Sequence, residues 1–140
     1  MRKLLLIATC LAALVGASAG ASAAGGTPVY IATQCDNYAL MPHAVTLACA
    51  DDNLYVTRLK YTHYGQKTTT ATGLFHANDC TPNCAAGHFH IYAGTIVFRN
   101  LVRCKGKLFY ALGEYKFAGP NGTGKADVQP VKVHCTRVKG

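Results

Sequence analysis

Leu54-Tyr55-Val56-Thr57-Arg58-Leu59-Lys60-Tyr61-Thr62-His63-Tyr64-Gly65-Gln66-Lys67-Thr68-Thr69-Thr70-Ala71-Thr72-Gly73-Leu74-Phe75-His76 reads as strand, turn, strand. β-Branched and aromatic residues dominate it, and such side chains suit a pleated, half-buried surface. Gly65-Gln66 interrupts the run, so strands are expected over 54–64 and 67–76. The apolar phase slips between Val56 and Leu59, which are three apart where a regular strand keeps period two. A bulge is expected at that slip. Leu59 and Tyr61 then share a face. Tyr61 is expected in the core, and Tyr64 at the strand end under a cysteine loop with its hydroxyl near solvent.

The same grammar extends in both directions. Val45, Leu47 and Cys49 alternate with Thr46 and Ala48, a half-buried strand that ends in the turn Asp51-Asp52-Asn53. A loop over 77–87 carries two cysteines, and a strand over 88–98 follows with a bend at Gly94. Cys104-Lys105-Gly106-Lys107 is a turn before a strand over 108–117. Residues 119–124 form a loop, and a last strand spans about 128–136, where Pro130 restricts it to an edge or a bulge. No long amphipathic helix interrupts these segments. The fold class is therefore all-β: a small antiparallel sandwich or barrel of about six strands braced by disulfides.

Ahead of the β segments, Arg2 and Lys3 precede an apolar run from Leu4 to Val15, then Ala21-Ser22-Ala23-Ala24. This is the layout of a cleaved signal helix. The expected organisation is a signal peptide at 1–24, a flexible segment at 25–34 and one disulfide-braced β domain at 35–138. Cleavage leaves about 116 residues, enough for a single domain with its own core. No second apolar run is long enough to span a membrane. Cys10 leaves with the leader. Thr9 before it and a cut inside the apolar run argue against a lipid anchor. The expected location is extracellular or on the cell envelope.

Removing Arg2 and Lys3 leaves 12 basic residues against 6 acidic, a net +6. Such a charge draws a secreted domain to anionic surfaces, or simply keeps it soluble. The tightest basic group is Arg99, Arg103, Lys105 and Lys107, which is no dense run. An anionic envelope polymer or a protein is the expected partner. Nucleic acid is not, and the oligomeric state stays open.

Six cysteines follow the leader: Cys35, Cys49, Cys80, Cys84, Cys104 and Cys135. Behind a signal peptide they read as disulfide partners, with fifteen possible pairings. Cys80 and Cys84 can close a local bridge over Thr81-Pro82-Asn83, or reach out to Cys49 or Cys104. The competing reading is a metal site built from Cys80, Cys84, His76, His88 and His90, with His63 and His134 nearby. It lacks a second closely spaced cysteine pair, and His88 and His90 read more simply as the solvent face of a strand. No metal or cofactor is therefore expected.

Catalytic signals are sparse. The acidic residues after the leader are Asp36, Asp51, Asp52, Asp79, Glu114 and Asp127, and serine is absent beyond the leader. No nucleophile-elbow, zinc-protease, P-loop or dinucleotide-binding pattern occurs. The chain is expected not to be an enzyme. The aromatics Tyr55, Tyr61, Tyr64, Phe89, Tyr92, Tyr110 and Tyr115 can form a stacking face for sugars or bases, or the core, and the core is the expectation. Asn121-Gly122-Thr123 is a glycosylation sequon that matters only in a eukaryotic secretory pathway.

Val45-Thr46-Leu47-Ala48-Cys49-Ala50-Asp51, Tyr61-Thr62-His63-Tyr64-Gly65 and Cys80-Thr81-Pro82-Asn83-Cys84-Ala85-Ala86-Gly87 together resemble a group of small secreted actinobacterial proteins. The pattern there is C-A-D-G, then W-x-x-W-G, then C-x-P-x-C-A-x-G. The likeness runs from Val45 to about Tyr110, with Tyr61 and Tyr64 in place of the two tryptophans. It implies secretion and a shared fold, and supplies no catalytic residue. Two functions follow as expectations: a non-enzymatic domain that binds a polymer or protein outside the cell, or a secreted protease inhibitor. The inhibitor would use Thr81–Asn83 as its reactive loop, provided that Cys80 and Cys84 bridge elsewhere.

Overall fold

The computed structural model describes residues 27–118, 127–129, 133, 135, 136 and 138. The signal-peptide reading, the 119–124 loop, the sequon and Pro130 lie outside these residues. Every regular element among the described residues is a strand: β1 (Val29–Gln34), β2 (Asn37–Leu40), β3 (Val45–Thr46), β4 (Leu54–Thr62), β5 (Thr69–Asn78), β6 (Phe89–Cys104), β7 (Lys107–Phe117) and β8 (Asp127–Gln129). They form one sheet in the order β2-β1-β7-β6-β5-β4-β3, with β8 added against β7. All pairs are antiparallel except β1 with β7, which is parallel.

The order carries a geometric demand. β2 and β3 lie at opposite ends of the path, yet only Met41–Ala44 joins them. Seven flat strands would hold the two ends about 29 Å apart, at roughly 4.8 Å per neighbour. A four-residue bridge reaches about 17 Å. The sheet therefore curls into a half-barrel that brings β1 against β3. The core fills the concave side: Val29, Ile31, Val45, Val56, Leu59, Ala71, Phe75, Ile96, Phe98, Tyr110 and Tyr115.

Local sequence makes the curl possible. The expected bulge is present, since β4 shifts register against β5 between Thr57 and Lys60, with Arg58 at φ 55°. Val56 and Leu59 are both buried as a result. Gly94 lies opposite Gly73, and a Cβ on Gly94 would sit 2.5 Å from the Phe75 ring. Only glycine lets Phe75 lie against the strand beside it, so Gly94 serves core packing, while β6 runs through it with unbroken register against β5 in place of the expected bend.

The crossing segment is pinned from β4 and the turn after it. Leu59 N–H donates to His43 O at 3.1 Å. The Tyr61 hydroxyl donates to Pro42 O at 2.6 Å. The Tyr64 hydroxyl donates to Val29 O and accepts from Met41 N–H. Tyr110 secures the same region from β7, donating to Gln66 O at 2.7 Å and accepting from Gly65 N–H. Burial raises the pKa of both Tyr61 and Tyr64, consistent with phenols held neutral in these bonds.

Three expectations need correction. A flexible segment is expected over 25–34, but Val29–Gln34 is strand β1, because Val29 and Ile31 are buried in the core and the strand pairs with β2 and β7. Tyr64 lies far from the cysteine loop, because Leu54, at the other end of β4, is the residue that pairs beside that loop, and the Tyr64 hydroxyl meets two backbone partners. The six cysteines expected in disulfides divide: Cys80–Cys84 and Cys104–Cys135 are bonded, while Cys35 and Cys49 are free thiols that lie side by side. In that pair Cys35 N–H donates to the Cys49 sulfur, and the Cys35 thiol faces Cys49 O.

A smaller apolar cluster occupies the opposite side of the sheet. Phe109, Cys104 and Val138 form its centre, with Tyr30, Tyr38, Val102 and Val133 around them. The Cys104–Cys135 bridge holds the C-terminal residues onto it.

Removing the Tyr64 hydroxyl leaves Val29 O and Met41 N–H without that partner. Tyr64→Phe is expected to lower stability by about 1–3 kcal/mol in urea melts, chiefly the cost of stranding the carbonyl of buried Val29. Tyr55→Phe on the outer face should stay within about 0.5 kcal/mol of the parent chain.

Candidate basic groove and the cysteine loop

Strand alternation sends the core residues inward and their neighbours to the convex face. Lys60 pairs with Thr72, Thr72 with Thr95, and Thr95 with Lys116. These four residues make one row across β4, β5, β6 and β7. Lysines stand at its ends, about 14 Å apart along the ladder, and two threonine hydroxyls lie between. Arg58, two residues before Lys60, shares its outer face, and the bulge lets both point outward while Val56 and Leu59 stay inside.

Behind the Gly73–Gly94 pair the outer surface dips. A shallow groove of about 550 Å³ is lined by Arg58, Lys60, Thr72, Gly73, Leu74, Ala93, Gly94 and Thr95. Arg58, Lys60 and Lys116 are exposed. Among the described residues, ion pairs form only between His90 and Asp79 and between Arg99 and Glu114, so none neutralises these three cations.

The group that looks densest in sequence disperses. Arg99 is paired with Glu114, Arg103 donates to Gly106 O at 2.9 Å, and the Lys107 ammonium lies 5.6 Å from the Tyr30 ring centre. The groove escaped the sequence reading because its cations come from strands more than fifty residues apart. Only the phase slip at Val56–Leu59 hinted that Arg58 and Lys60 share an outer surface.

Farther along the same face lies an aromatic group. Tyr55 stacks on His76 with ring centres 4.5 Å apart and planes 7° apart, and Phe89 lies 5.5 Å from Tyr55. Of the aromatics expected in the core, Tyr110 and Tyr115 are buried, and Tyr61, Tyr64 and Tyr92 pack against the core. Tyr55 and Phe89 belong to the outer face, where Phe89 and Ile91 are exposed.

The loop between β5 and β6 is a braced knob. Asn78 anchors it, donating to Asn53 Oδ1 and Cys84 O and accepting from Cys80 N–H. Asp79 Oδ1 accepts from Thr81 N–H and His88 N–H, each at 3.0 Å, and Asp79 Oδ2 lies 3.0 Å from His90 Nε2. The Thr81–Pro82 peptide is cis. A Cβ on Gly87 would meet Asn78 Oδ1 at 2.2 Å, which accounts for glycine closing the Cys-Thr-Pro-Asn-Cys-Ala-Ala-Gly run.

The residues weighed as metal ligands separate here. Cys80 and Cys84 bond to each other, so neither supplies a thiolate. His76 lies against Tyr55 with its Nε2 at Thr57 Oγ1, and His90 pairs with Asp79. No metal-ligating group of three or more occurs among the described residues, and His134 lies outside them. Asp51 caps its own turn through Asn53, as the turn reading anticipates. No family model, curated protein or solved structure matches the chain.

The His90 imidazole, then the His88 and Thr81 amides, lower Asp79 to about 2. A carboxylate held below its ordinary value of 3.8 contributes to the folded loop above that pH and loses the contribution as pH falls toward 2. The Thr81 and His88 amide shifts in an NMR titration should therefore move with a midpoint below 3.8. In Asp79→Asn the acid transition at these amides should vanish.

Proposed function

We propose that this chain is a secreted, non-enzymatic binding domain whose convex groove holds an anionic envelope polymer. The single observation that carries the reading is the Lys60–Thr72–Thr95–Lys116 row with Arg58 beside it. Unpaired cations at fixed spacing, with hydroxyl donors between them, match a chain of repeating phosphate or carboxylate groups. The groove lining holds no carboxylate, imidazole or thiol. That composition favours holding a ligand over transforming it. The Tyr55–His76–Phe89 group lies on the same face and offers flat apolar surface to sugar rings in such a polymer.

The two disulfides fit an oxidising compartment. No helix among the described residues is long and apolar enough to cross a membrane. The proposal keeps the chain with the small secreted actinobacterial proteins that its Cys-x-Pro-x-Cys-Ala-x-Gly run resembles. The inhibitor reading asked for Cys80 and Cys84 to bridge elsewhere. With these two bonded to each other, Thr81–Asn83 is too tightly closed to extend into a protease cleft.

Binding of the full chain to polyphosphate and to polygalacturonate, followed by calorimetry, tests the proposal. Both polyanions should bind, and binding should weaken as salt rises. Arg58→Gln, Lys60→Gln and Lys116→Gln together should cost about tenfold or more in affinity. Lys67→Gln with Lys105→Gln, which remove the same kind of charge elsewhere, should change it less than about twofold. Equal losses in the two sets would mean that net charge alone binds, and the groove reading would fail.

A further inference from the structure

We propose that Cys35 and Cys49 are a redox pair whose disulfide locks the seam of the curled sheet. Cys35 lies in the turn between β1 and β2, at one end of the strand order. Cys49 lies in the turn between β3 and β4, at the other end. Curling brings the two turns together. Cys35 N–H then donates to the Cys49 sulfur at 3.1 Å, and the Cys35 sulfur is 3.4 Å from Cys49 O. Both residues are exposed, so a small-molecule disulfide can reach either sulfur. No other described cysteine is a free thiol.

The oxidant is a disulfide of low molecular weight. The Cys49 thiolate attacks one of its sulfurs, a mixed disulfide forms, and the first small thiolate departs with the bond's electron pair. The Cys35 sulfur then attacks Cys49 Sγ and displaces the second small thiolate. The protein dithiol is oxidised, the small disulfide is reduced to two thiols, and the two cysteine protons end on those thiols. The exchange balances equally with the two sulfurs in the opposite order. A hydrogen bond with the Cys49 side chain, desolvation, and the charges of Cys49, Asp52 and Asp36 push the Cys35 thiol up to about 11, which slows the exchange at neutral pH.

A bond at this point adds a second covalent tie between the two ends of the sheet, beside the Met41–Ala44 crossing. It is also reversible. Reductant reaches it at either sulfur, since Cys35 and Cys49 are both exposed.

The test equilibrates the full chain in glutathione buffers of graded poise, alkylates free thiols and maps each cysteine by peptide mass spectrometry. Oxidation should join Cys35 to Cys49 and reduce their alkylation about tenfold or more. Reduction should reopen this bond. Hydrogen exchange at the Met41 amide should slow on oxidation in the parent chain, and should not respond in Cys35→Ser. If Cys35 and Cys49 stay fully alkylatable at every poise, or pair with other cysteines, the redox pair does not exist. If the bond forms and Met41 exchange is unchanged, it does not lock the seam.

Discussion

Four residues between β2 and β3 impose the architecture. Because Met41–Ala44 joins strands at opposite ends of the sheet, the chain cannot remain flat. Curling then concentrates the apolar inner faces into one core and leaves the alternate residues on a convex surface. Tyr61, Tyr64 and Leu59 satisfy three backbone groups of the crossing, and Pro42 within it is buried. A polar backbone segment passing over a core costs several kcal/mol if its groups are left unpaired, so these bonds are conditions of closure.

The convex surface inherits its chemistry from the same constraint. Gly94 makes room for Phe75 inside and Gly73, opposite it, for Val56 and Leu59, and the outer surface behind them becomes the floor of the basic groove. The bulge that brings both Val56 and Leu59 inward is the irregularity that sets Arg58 beside Lys60 outside. Core packing and the candidate site are thus two faces of the same backbone features. A substitution that flattens the bulge is expected to affect both.

Much of the fold was legible in the sequence. The alternation in 54–64 and 67–76, the turn at Gly65 and the bulge all emerge from local residue patterns, and the structure has each of them. β1 and β2 did not emerge, because Val29-Tyr30-Ile31-Ala32 is short and takes its strand form from β7, a partner more than seventy residues away. β6 was expected to stop at Phe98 and continues to Cys104, since Arg99 and Leu101 find partners on β7 that composition cannot reveal. The candidate groove was hidden for the same reason. Its row needs the registers of three strand pairs, and register is a property of the assembled sheet. The local Cys80–Cys84 bridge was among the legible alternatives, because a turn of Pro82 and Asn83 favours it.

The central claim is that a short, pinned crossing closes the sheet. Inserting six glycine and serine residues between Pro42 and His43, and measuring stability by urea unfolding, tests it most directly. In an ordinary surface loop such an insertion costs about 1 kcal/mol or less. Here it relaxes the span and pulls Pro42 and His43 from Tyr61 and Leu59. The account predicts a loss of about 2–4 kcal/mol in a single cooperative transition. A loss under about 1 kcal/mol would contradict it, because the curl would then hold without the crossing.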